Sequence, residues 1–201
     1  MIPTQNHLVL RFRRMDDREF LFKRHATEAD LDLVPEHLTG EIIDGDLYAF
    51  PRPTSLHGRG AMRLGRALGP ADDDDGPDGW ILLPEPAIWF GKKHMLVPDL
   101  AGWRRSRMPE LPDVKSFKQA PDWVCEGLSP STGRYDRGRK REIYASAGVA
   151  SFWLFDPALK LVETFVLAGK HYTIGPIGGG ADVVAFPPFP FKIDLAKLWK
   201  R

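Results

Sequence analysis

Residues 120–157 read APDWVCEGLSPSTGRYDRGRKREIYASAGVASFWLFDP, and the order of patterns inside them decides the class of fold. Two apolar runs of strand length, WVCEGL at 123–128 and SFWLFD at 151–156, bracket a longer polar segment. Ser129-Pro-Ser-Thr132 punctuates the first run. A helix is expected from about Thr132 to Ala147, ahead of Gly148, because Lys140, Ile143, Tyr144 and Ala147 share one stripe at the three-and-four spacing. Apolar strands next to a helix with one apolar stripe call for a sheet core with helices packed on it, α/β or α+β.

Working outward, the patterns agree. Downstream, LVETFVLAG and KHYTIG add strand candidates, and a short helix is expected around Asp194 to Trp199. Upstream, WILLPE, AIWFG and MLVPDLAGW have strand character from Trp80 to Trp103. In EIIDGDLYAF, residues 41–50, two apolar pairs flank Asp44-Gly45, a dipeptide suited to a tight hairpin turn. Ala61, Leu64 and Leu68 form a helical stripe closed by Gly69 and Pro70, and Thr27 to Asp30 has the form of a capping box. Residues 1–26 lack periodicity and are expected to be an arm before a single domain at 27–201. Met15 is an alternative start, and the arginines follow the apolar patch, the wrong order for an export signal.

Composition narrows the function classes. Charged residues are 27% and hydrophobic residues 43% of 201, the balance of a globular chain. No apolar run reaches the roughly 20 residues that cross a bilayer, and the single Cys125 cannot form an intrachain disulfide, so a cytoplasmic protein is expected. The net charge of +1 lacks the large excess of many nucleic-acid binders, although 134–141 and Arg104, Arg105 and Arg107 are locally basic.

Chemistry-bearing residues stand out by context. Glu126 lies in an apolar strand, where an ionised carboxylate costs several kcal/mol unless it is paired, hydrogen-bonded or metal-bound. Asp99 poses the same question beside Pro98, which removes a ladder donor where the acid projects. Together they make either a hard-oxygen site for a divalent ion such as Mg²⁺ or two separately buried acids. Lys140, on the core-facing stripe, needs a carboxylate or phosphate to meet; Asp136 at i−4 is the simpler partner. Glu41 opens a strand, and His57 either steadies a phosphate or packs in the core. No Ser/His/Asp order, phosphate-binding glycine loop or Cys/His zinc spacing is present.

GEIIDGDLY, RPTSLHGR, VPDLAGWRRSRMPELP, APDWVCEGLSPST and DRGRKREIYASAGVASFWLFDP resemble successive blocks of the Uma-two family, bacterial restriction-endonuclease-like proteins of the PD-(D/E)XK superfamily. The resemblance spans about residues 27 to 199. It implies a restriction-endonuclease-like mixed central sheet flanked by helices, and a metal-dependent endonuclease acting on DNA. It further implies catalytic residues Glu41, Asp99, Glu126 and Lys140. Of these, Asp99 and Glu126 would hold Mg²⁺ (or Mn²⁺ as a substitute), with Glu41 a further ligand or water-orienting group. The lysine usual two residues after the second acid is absent, Leu128 standing there; Lys140 matches the one the family draws from the following helix. His57 and Arg137 are the candidate substrate contacts, and a homodimer is the simplest way to cut both strands of a duplex. Gly127 stands where a β-branched residue is usual, which should loosen the strand locally. The alternative reading is a non-catalytic nucleic-acid or protein-binding module that kept the fold.

Overall fold

A computed structural model describes residues 11–15, 18–129 and 133–200. Residues 1–10, Asp16, Asp17, Pro130, Ser131, Thr132 and Arg201 therefore lie outside the described residues, and with them part of the expected arm and the expected start of the long helix.

Strands β1 (Arg11–Met15) and β2 (Arg18–Lys23) pair as an antiparallel hairpin. The short helix α1 (Glu28–Leu31) follows, with Thr27 and Asp30 forming both halves of the capping box. Next, β3 (Leu38–Ile43) and β4 (Asp46–Pro51) form a hairpin whose two-residue turn places Asp44 at φ 56° and Gly45 at φ 83°. Both turn positions need positive φ, which Asp-Gly supplies at little cost. Thr54 caps α2 (Ser55–Ala67), and α3 (Gly69–Asp72) follows directly, so a short helix begins at the Gly69 and Pro70 that close the stripe.

Four strands come next: β5 (Trp80–Pro84), β6 (Ile88–Phe90), β7 (His94–Leu96) and β8 (Leu100–Arg104). MLVPDLAGW thus splits into two strands around Pro98 and Asp99, because a proline has no N–H to give a ladder. The deciding stretch folds as β9 (Trp123–Gly127), a helix α4 and β10 (Ser151–Asp156). Helix α4 is α-helical over Gly133–Tyr135, π-helical over Asp136–Lys140 and α-helical again over Arg141–Ser146. Regular three-and-four spacing does not announce that wide turn. The chain ends with β11 (Leu161–Ala168), β12 (His171–Gly179), β13 (Val183–Ala185), β14 (Lys192–Asp194) and a 3₁₀ turn at Leu195–Lys197.

The central sheet has the order β12-β11-β10-β9-β8-β5 and is mixed, since β9 and β10 are parallel and the other pairs antiparallel. A parallel pair needs a crossover, and α4 is that crossover. A second, antiparallel sheet runs β1-β2-β4-β3-β7-β6. Strand alternation sorts the core. Val124, Phe152 and Leu154 face α4 residues Ile143 and Tyr144 together with Ile43, Ile88 and Leu96 of the second sheet. Trp123, Cys125, Trp153 and Phe155 face Leu64 and Leu68 of α2 and the C-terminal Phe186 and Phe189. Glu126 shares its parity with Val124, which sends its carboxyl toward α4. Among the described residues, no helix is long and apolar enough to cross a membrane.

Candidate active site

Glu126 is 3% exposed near the end of β9, and its Oε1 accepts hydrogen bonds from the Tyr144 hydroxyl at 2.5 Å and the Lys140 ammonium at 3.3 Å. Both donors come from α4, one helical turn apart. The same ammonium lies 2.9 Å from Glu41 Oε1 and 3.2 Å from Asp136 Oδ1. Glu41 sits within β3 rather than at its start, and its Oε1 also accepts from the Val97 backbone N–H at 2.8 Å. Three carboxylates from β3, β9 and α4 therefore meet one buried lysine. Asp136 joins through the π-helical turn, a feature often found at functional sites.

Asp99 occupies the break between β7 and β8. Its register neighbour is legible: Leu100 pairs with Cys125, so one step further Asp99 stands opposite Glu126. The Asp99 carboxylate accepts from the Gly127 N–H at 2.6 Å on Oδ2 and meets His57 Nε2 at 2.7 Å on Oδ1. His57 is a buried residue of α2, and its ring meets the Asp99 carboxylate. Gly127 is buried and keeps its register with Phe155. A Cβ at this position would lie 2.3 Å from His57 Cε1.

Glu41, His57, Asp99, Glu126 and Lys140 all line one cavity of about 180 Å³, as do Arg52 and Glu85, which the sequence did not single out. Arg137 does not line it. Its guanidinium pairs with Glu163 of β11 at 2.6 Å on the exposed side of α4. Arg139 pairs likewise with Asp44 and Glu142, Arg105 with Asp75 and Arg107 with Asp122. Within the run at 134–141, Arg137, Arg139 and Lys140 thus each meet an acid.

Burial pushes the Glu126 carboxyl well above the usual carboxylate range; Lys140 opposes this, while Asp136, Glu41 and Asp99 reinforce it. Burial pulls the Lys140 ammonium down, but Glu126, Glu41 and Asp136 outweigh that and hold it well above its ordinary value. Tyr144 is raised by burial and by the neighbouring acids. For His57, burial again acts downward, and the Asp99 contact overcomes it.

Among the described residues no three Asp, Glu, His or Cys side chains already stand in a ready coordination sphere. The donor chemistry nevertheless fits a hard divalent cation, because Asp99, Glu126 and Glu41 present oxygen only. Glu41 Oε2 is buried without a hydrogen-bond partner, an acceptor that a cation would satisfy.

The crystal structure of a putative nuclease belonging to DUF820 from Anabaena variabilis is similar, with a TM-score of 0.68 over 83% of this chain and 92% of that one, at 21% sequence identity. The chain belongs to the Uma2 family, described as "Putative restriction endonuclease", whose model matches residues 29–196. No curated protein matches it.

Proposed function

We propose that this chain is a metal-dependent endonuclease that hydrolyses phosphodiester bonds in DNA, with Glu41, Asp99, Glu126 and Lys140 as its catalytic residues. The observation carrying the proposal is the buried Lys140 ammonium, 2.9–3.3 Å from Glu41, Asp136 and Glu126 on the wall of the cavity that Asp99 also lines. A cluster of buried acids with so little compensating charge is costly unless a cation completes it. Asp99 and Glu126, with Glu41 beside them, are the residues to hold Mg²⁺, or Mn²⁺ in its place. Bound there, such an ion would polarise a phosphodiester oxygen and lower the pKa of a water.

The chain's own groups supply the rest. Lys140 orients the attacking water or stabilises negative charge on the phosphoryl group. An ammonium has three N–H donors, and here three carboxylates surround it, so one must release before Lys140 can reach a substrate. Glu126, at 3.3 Å, is the longest of the three contacts. Arg52, exposed on the cavity wall, replaces Arg137 as the cation placed to meet an incoming phosphate. Residues 27–201 carry this unit, and the preceding β1 and β2 extend its second sheet through the pairing of β2 with β4; the protein works in the cytoplasm, and a homodimer would supply two sites for the two strands.

Plasmid DNA incubated with Mg²⁺, Mn²⁺ or EDTA tests the reading. Nicking is expected with either metal, none with EDTA, and none for Glu126→Ala. Electrostatic groups of this kind are worth about 3–4 kcal/mol, so Lys140→Ala should slow cleavage by about two to three decades. Binding without cleavage under every metal condition would favour the non-catalytic module instead.

A further inference from the structure

We propose that His57 is a positioning residue for Asp99, and that residue 127 lacks a side chain in order to admit it. The inference rests on the reading of Asp99 as a metal ligand and extends it to the two residues that hold its carboxylate.

Three observations converge. His57 Nε2 lies 2.7 Å from Oδ1 of Asp99, and the Gly127 N–H donates to Oδ2 at 2.6 Å. A carboxylate can only accept, so Nε2 carries the proton of the first contact. Two donors, one on each oxygen, fix both the position and the plane of the carboxylate while leaving each oxygen a further lone pair. The Asp99 carbonyl in turn accepts from the Glu85 N–H at 3.1 Å, so the backbone is held as well.

His57 is itself held in place. It sits in the first turn of α2, where its N–H reaches the Thr54 hydroxyl at 3.4 Å, and it is 6% exposed. The imidazole fills the space that a side chain on residue 127 would need. A Cβ there would come within 2.3 Å of Cε1, 2.5 Å of Nε2 and 3.1 Å of Asp99 Oδ2. Contacts that short cannot stand, so any side chain at 127 displaces the imidazole and with it the grip on Asp99. Glycine at 127 and histidine at 57 form one device, built from β9 and α2 around an acid on a third segment.

Mn²⁺ titration by calorimetry tests this, with thermal melts of the metal-free variants alongside. Losing a partner that orients a ligating group weakens metal affinity by about 10- to 100-fold. His57→Ala and Gly127→Ala should each show that loss. His57→Gln, whose amide N–H can reach the position of Nε2, should restore most of the affinity. The double variant should be no worse than His57→Ala alone, since both changes break the same contact. Wild type that binds Mn²⁺ and a His57→Ala variant that binds it equally well would overturn the positioning role alone. Wild type that fails to bind Mn²⁺ would overturn the assignment of Asp99 and this role with it. If His57→Ala proves unfolded, Gly127→Ala beside His57→Gln decides: equal loss in both, or none in Gly127→Ala, refutes the proposal.

Discussion

The ammonium of Lys140 lies 2.9 Å from Oε1 of Glu41, with side chains only 4% and 2% exposed. One belongs to the helix that crosses over between β9 and β10, the other to the second sheet. Their contact fastens the two sheets together at the cavity. Removing one partner of a buried ion cluster costs about 3–5 kcal/mol, because the remaining charges stay buried without compensation. Lys140→Met should therefore lower the urea midpoint sharply, and adding Glu41→Gln should recover part of the loss. Equal midpoints for wild type and Lys140→Met would show that the cluster contributes nothing.

Tyr144 donates its hydroxyl to Glu126 while its ring packs against Phe90 and Phe152. Tyr144→Phe keeps the ring and removes the donor. Lys140 still reaches the same oxygen, so the expected cost is at the low end for a buried hydrogen bond, about 1 kcal/mol. Calorimetric melting in the absence of metal measures it; a gain in stability would contradict the assignment.

Asp30 gives the acid limb of the stability profile. The Lys23 ammonium, then the Thr27 N–H, hold its carboxyl below the ordinary value of 3.8 against the opposing effect of burial. A depressed carboxyl contributes stability that is fully present above the unfolded value and is lost as pH falls through the folded one. Asp30→Asn should lower the melting temperature at neutral pH and flatten its decline below about pH 4. An unchanged acid limb in the variant would count against this pairing.

Two glycines of α2 make a matched pair. A Cβ at Gly60 would lie 2.3 Å from Phe155 Cζ, whereas one at Gly58 would meet nothing within 4 Å. Helix propensity favours alanine at both by about 1 kcal/mol. Overpacking costs about 1–3 kcal/mol, so Gly60→Ala should destabilise and Gly58→Ala should not. Denaturant midpoints of the two variants decide it.

Much of the architecture was legible because apolar periodicity reports burial directly. WVCEGL, SFWLFD, the Asp44-Gly45 turn and the stripe of Ile143 and Tyr144 each emerge where local pattern placed them. The antiparallel β13–β14 pair and the 3₁₀ form of the last turn were not legible, being short and weakly patterned. Neither was the π-helical turn over Asp136–Lys140, since widening a helix by one residue leaves no mark in a three-and-four pattern.

By itself the sequence determined which side chains would be hard to bury: acids in apolar strands and a lysine on a core-facing stripe. It did so because burying a charge is a local cost, visible from the neighbours in the chain. Apart from Asp136, which the i−4 spacing already set beside Lys140, which partners relieve that cost was decided only by the tertiary structure. His57 meets Asp99 across 42 residues, and Arg137 turns away to Glu163. Pairing between distant segments depends on how sheets and helices pack in three dimensions, and no spacing along one chain encodes that distance.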